Sequence, residues 1–173
     1  MDFKTAHQNL IDALENKDKK AASDSIDYLE DNGKDKPAEL VPFVKTFGEL
    51  IQSKDNRIVW GSMYCLRYIA SVDAKLVKPY LEKVSNLLVE GSVISQDNAA
   101  WIIGYLANDD LLKSFLRHIE VSRPKDAIAH TDYFLQASNG YHASEVIAEL
   151  EKRSSEFNPS QLKRFEKIKK AIK

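Results

Sequence analysis

The chain has 173 residues, 43% hydrophobic and 29% charged, with 6 glycines, 5 prolines and a formal net charge of −1. That length is one domain by size and enough to bury a core, while the near-neutral balance offers no electrostatic case for nucleic acid. One cysteine, Cys65, excludes an internal disulfide framework and fits a reducing compartment.

Scarce glycine and proline favour helices over short strands. Phe3, Ala6, Leu10, Ala13 and Leu14 give a first helix. Asp18 suits the N-cap of a second, which Gly33 is placed to stop. Phe43, Val44, Phe47, Leu50 and Ile51 mark the next, with Pro42 in its first turn, where a missing N–H costs little. Asp55 then opens a helix through Ile58, Ser62, Leu66 and Ile69. Pro79, Val84, Leu87 and Leu88 repeat the proline-led pattern up to Gly91, and Ala99 to Ala107 follow. Leu111, Leu112, Phe115, Leu116 and Ile119 form a shorter helix, ended near Arg123-Pro124. Another runs through Ile128, Ala129 and Leu135 to Asn139-Gly140, and Ala143, Val146, Ile147 and Leu150 make a ninth. Asn158-Pro159-Ser160-Gln161 supplies a cap, a proline at the first helical position and a capping-box glutamine. The last helix carries Leu162, Phe165, Ile168 and Ile172.

These elements repeat. Leu40-Val41-Pro42-Phe43-Val44 matches Val77-Lys78-Pro79-Tyr80-Leu81 at a spacing of 37, as do Phe47 and Val84, Asp18 and Asp55, Ile26 and Met63, and Leu29, Leu66 and Ile103. A helical pair of this length cannot bury both apolar faces alone, so neighbours must stack. The expected architecture is all-α, about five helical hairpins in one domain, with repeats at about 2–36, 37–73, 74–108, 109–139 and 140–173. The strict period ends near residue 109.

Asp55-x-x-Ile58-x-x-x-Ser62-x-x-x-Leu66-x-x-Ile69 resembles the second helix of a HEAT repeat, and Ala99-Ala100-Trp101-Ile102-Ile103-Gly104-Tyr105-Leu106-Ala107 resembles the corresponding armadillo segment. The resemblance implies a right-handed α-α superhelix and a protein-binding scaffold, with minorities of such families binding nucleic acid or acting on DNA bases or bilin pigments. It also implies that second helices line a concave face. Peptide-binding armadillo repeats carry asparagine four residues after the tryptophan; here that place holds Tyr105, which departs from their extended-peptide mode.

On a helical wheel of residues 55–71, Ile58, Ser62, Cys65, Leu66 and Ile69 share one side, and Arg57, Trp60, Tyr64 and Arg67 the other. The 37-residue shift carries the second set to Ile94, Asp97, Trp101 and Gly104, and back to Lys20, Ser23, Asp27 and Glu30. Arg57, Trp60, Tyr64, Arg67, Asp97, Trp101 and Tyr105 are therefore the candidate binding residues, since aromatics and arginine on a polar face are hot-spot chemistry. The competing reading is that the rings pack between neighbouring helices.

Other constellations are weaker. His118, His130 and His142 fall 12 residues apart on successive helices, without the close pair of a zinc helix, so solvated or capping histidines and no metal are expected. Cys65 reads as a small core residue. There is no phosphate loop or nucleophile elbow. Residues 1–36 carry 6 basic and 9 acidic side chains, and residues 151–173 carry 8 and 3. That basic end reads as a solvated face, or alternatively as a phosphate- or acid-binding tail or as one half of a head-to-tail self-association with the acidic end. No apolar run reaches the roughly 18 residues that span a bilayer, and Met1-Asp2-Phe3-Lys4 lacks an apolar signal core, so a cytoplasmic protein without membrane contact is expected. Its expected partner is another protein or peptide, bound without a cofactor. The alternative is a nucleic-acid-directed protein like the HEAT-like alkylation-repair glycosylases, with Trp60, Trp101, Asp97 and Arg57 imitating their site; a pigment lyase is a third reading.

Overall fold

The structure, a computed structural model, describes residues 1–171. Among them are ten α-helices, three 3-10 segments and no strand. The helices are α1 (Phe3–Glu15), α2 (Lys19–Gly33), α3 (Val44–Leu50), α4 (Asn56–Val72), α5 (Leu81–Glu90), α6 (Val93–Tyr105), α7 (Asp109–Val121), α8 (Pro124–Ala137), α9 (Ala143–Glu151) and α10 (Pro159–Ala171). Ile172 of the predicted last helix lies outside the described residues. No described helix is long and apolar enough to cross a membrane.

Local chemistry sets the helix starts. Asp18 accepts from the Ala21 amide at 3.0 Å and Asp55 from the Arg57 amide at 2.9 Å. Ser92 does the same for α6 through the Ser95 amide. Each side chain satisfies one of the donors that a helix start leaves open. The three helices so capped begin at residues 19, 56 and 93, each 37 on from the last. At the start of α10 the Asn158 side chain accepts from the Gln161 amide at 3.0 Å, and the Gln161 side chain accepts from the Asn158 amide at 2.8 Å. That is a reciprocal capping box.

The two prolines sit differently from expectation. Pro42 and Pro79 lie inside 3-10 segments, Pro37–Phe43 and Ala74–Tyr80, which precede α3 and α5. A proline ring clashes with the carbonyl four residues back, which disfavours an α-turn closing there. The chain winds the tighter turn instead, and both segments obey the 37-residue spacing.

The chain divides into two compact units, Met1–Val84 and the rest from Ser85 onward. In the first, α1 packs on α2, α2 on α4, and α3 with both long 3-10 segments on α4. Leu10, Ile26, Leu29, Phe47, Met63 and Leu66 are fully buried there. In the second, α6 packs on α8, and α7, α9 and α10 also meet α8. Phe115 of α7 stacks on Phe134 of α8 with ring centroids 4.3 Å apart.

The α6–α8 crossing depends on Gly104. A Cβ built at this position would stand 2.7 Å from both the Ala137 Cβ and the Phe134 carbonyl oxygen, and the latter is backbone that cannot swing away. In an exposed helix, alanine for glycine gains about 1 kcal/mol. Here forced separation of the helices outweighs that gain, because overpacking costs about 1–3 kcal/mol. Gly104→Ala should therefore lower the urea midpoint, and a raised midpoint would show that the crossing is looser than described.

Candidate functional site

The candidate residues fall in both units. In the first, Arg57, Trp60, Tyr64 and Arg67 are half-buried along one side of α4, opposite the buried Ile58, Ser62, Cys65, Leu66 and Ile69. Tyr64 lies against Tyr68, with centroids 6.2 Å apart. Burial pushes the Tyr68 hydroxyl up to about 12, with Glu30 adding to the effect and Arg67 opposing it.

Arg57 is committed within its unit. Its Nε donates to Asp27 at 2.5 Å and its Nη2 to Glu30 at 2.6 Å, so two carboxylates of α2 hold one guanidinium of α4. Burial works against the arginine's charge, but Glu30 and Asp27 outweigh it and hold its pKa above the ordinary value. The acidic N-terminal face and the first arginine of the predicted stripe thus satisfy each other.

In the second unit α6 presents Asp97, Trp101 and Tyr105 at four-residue steps, which aligns them on one side of the helix. Trp101 stacks on Tyr133 of α8, with centroids 5.5 Å apart and planes at 22°. Tyr105 lies 6.1 Å from Trp101 at 30°. The Arg164 guanidinium of α10 stands 6.0 Å from the Tyr133 centroid and 3.4 Å from Asp132. All three rings are half-buried. The rings therefore pack on each other and still meet solvent. Tyr133, Asp132 and Arg164 were not among the sequence candidates.

Behind this row lies a buried polar chain. The Asp97 carboxylate is 3.2 Å from His130 Nε2, within ion-pair reach but off the line of a hydrogen bond. His130 Nδ1 is 2.8 Å from His118 Nε2, which is 3.1 Å from the Ser122 hydroxyl. Ser122 donates to the His118 carbonyl, so the serine proton is directed at the backbone and not at the imidazole. A seryl nucleophile is not assembled there. The expectation of solvated or capping histidines fails for this pair: His118 and His130 are 7% and 1% exposed. Burial, reinforced by His130 and opposed by Asp126, pushes the His118 pKa down to about 4. His142 is exposed, at the start of α9, 3.1 Å from Glu145.

Among the described residues no three His, Cys, Asp or Glu side chains converge to hold a metal. Cys65 is fully buried, and burial raises its thiol well above the ordinary value, which leaves it a neutral core group. A cleft of about 880 Å³ between α8, α9 and α10 is lined by Asp132, Gln136, Asn139, His142, Glu145 and Ile168, among others. Its one histidine–carboxylate pair, His142 and Glu145, is exposed to solvent.

No protein-family model matches the chain, and neither the curated proteins nor the solved structures contain a match.

Proposed function

We propose that this chain is a non-enzymatic protein-binding scaffold, a HEAT/armadillo-like solenoid that acts in the cytoplasm and holds its partner on the concave face lined by its second helices. The observation that carries this reading is the row Trp101–Tyr133 with Tyr105 and Arg164. It places three half-exposed rings and a guanidinium together on a unit whose apolar core is complete without their outer edges. Large, rigid, amphipathic side chains give contact area at small entropic cost, which is why they dominate interface hot spots. The repeated helix starts at 19, 56 and 93 support the solenoid reading. The glycosylase-like alternative needs Arg57 for a nucleic acid, and Asp27 and Glu30 already hold it.

Affinity purification of the tagged chain from its source organism, beside a Tyr133→Ala bait, tests this. A protein retained by the wild type and depleted at least tenfold on the variant, with equal bait thermal stability, is the expected result. Equal retention on both baits would place the partner elsewhere.

A further inference from the structure

Exposed valines gather at one place in the second unit. Val89 is 62% exposed, Val93 49% and Val121 78%, and Leu162 is the only other large apolar side chain so open among the described residues of that unit. They come from the end of α5, the first residue of α6 and the last of α7. An exposed valine serves neither the core nor its helix, because β-branching restricts the side chain and lowers helix propensity. Three of them around one surface make the kind of apolar patch that marks a contact.

The patch is hollow. Two adjoining grooves, of about 400 and 350 Å³, share Val89, Val121 and His118 in their walls. Val93 lines the first, and Ile103 and the fully buried Phe115 line the second. An incoming side chain there meets aliphatic and aromatic carbon. His118 adds no charge near neutral pH, since burial pulls its pKa down to about 4.

The charges that remain do not cancel. In the first groove Arg123 and Asp126 pair at 2.6 Å. In the second the charged side chain is Arg117, which is exposed and has no carboxylate of the described residues within ion-pair reach. Glu90 and Glu120, next in sequence to Val89 and Val121, line neither groove. Arg117 and Val121 stand four residues apart on α7 and so share one face of that helix. The apolar surface thus carries one unanswered positive charge at its side.

We propose that this groove is a second docking surface, for a segment of a partner protein that sets an aliphatic or aromatic side chain among the valines and an aspartate or glutamate on Arg117. Trp101, Tyr105 and Tyr133 line neither groove, so the surface is separate from the aromatic row. A guanidinium and a carboxylate can pair through two parallel hydrogen bonds. That fixes the register of a segment which apolar contact alone would leave free to slide.

The probe is a phage-displayed library of random peptides of about 12 residues, some three helical turns, selected on the full chain. The wild type should enrich peptides that combine apolar residues with an acidic one. The best of these, made synthetically, should bind about tenfold more weakly to the double variant Val89→Ser, Val121→Ser, and likewise to Arg117→Glu. Melting temperatures should be unchanged, because the altered side chains are exposed. Exchanging the peptide's acidic residue for lysine should restore binding to Arg117→Glu, and Tyr133→Ala should bind the original peptide like the wild type. Peptides that need the valines but ignore Arg117→Glu overturn the acidic assignment. Peptides that need Tyr133 and ignore the valines belong to the aromatic row and overturn the groove, as does a selection that yields no peptide dependent on the valines.

Discussion

Leu66→Ala is expected to lower the unfolding free energy by about 2–5 kcal/mol, the range for deleting a large buried aliphatic side chain. Leu66 has no exposed surface, and its helix α4 is the element against which α2, α3 and both long 3-10 segments pack. The shortened side chain leaves a void on the helix against which those elements pack, and closing it requires packed neighbours to shift. The lost contacts are therefore poorly recovered. Chemical denaturation reads the effect directly. A change below about half a kcal/mol would mean that the site relaxes freely, contrary to a tightly packed first unit.

Acid should destabilise the second unit through His118. In the unfolded chain this imidazole titrates near 6.5, whereas in the folded unit it titrates near about 4, because burial and then His130 oppose its charge more than Asp126 favours it. Between these values the unfolded chain binds the extra proton, so stability is full above pH 6.5 and falls as pH drops towards 4. The shift corresponds to about 3 kcal/mol, an order-of-magnitude figure at 1.36 kcal/mol per unit. His118→Gln keeps a donor for the neighbouring groups and removes the titration. Its stability should fall less than the wild type's over that window, by an amount of this order. Parallel curves would show that the histidine pair does not carry the acid sensitivity.

The legible parts of the fold were those written in local chemistry. Asp18, Asp55 and the Asn158–Gln161 box each set a helix start through bonds within three residues. Pro42 and Pro79 had the right spacing, but the sequence reading gave them a tolerated first-turn place, while they lie inside 3-10 segments, where the ring's clash with the carbonyl four residues back disfavours the α-turn. Tyr133 was invisible for a different reason. Shifting Trp101 by 37 lands on residue 138, but α8 begins at Pro124, six residues earlier than the period requires, so the ring that stacks on Trp101 sits off the repeat.

The histidine pair did have a signal. Helices α7 and α8 join at Ser122–Arg123, and His118 and His130 lie six residues either side of residue 124. Phe115 and Phe134 bracket the same turn almost as evenly, and they stack. Two helices folded back on a tight turn bring equidistant residues together, a rule that spacing along one helix cannot reveal. Similarly, Arg57 looked like a stripe residue because its wheel position faces outward, and only the packing of α2 on α4 brings Asp27 and Glu30 to it.

The most direct test of the scaffold reading is the affinity of the purified partner for Trp101→Ala, measured by titration calorimetry well below the variant's melting temperature. The aromatic row predicts a loss of about 2 kcal/mol or more, roughly thirtyfold in Kd, because Trp101 joins Tyr105 to Tyr133. Unchanged affinity, with a lowered melting temperature, would show that the ring serves packing within the second unit and would remove the row from the binding site.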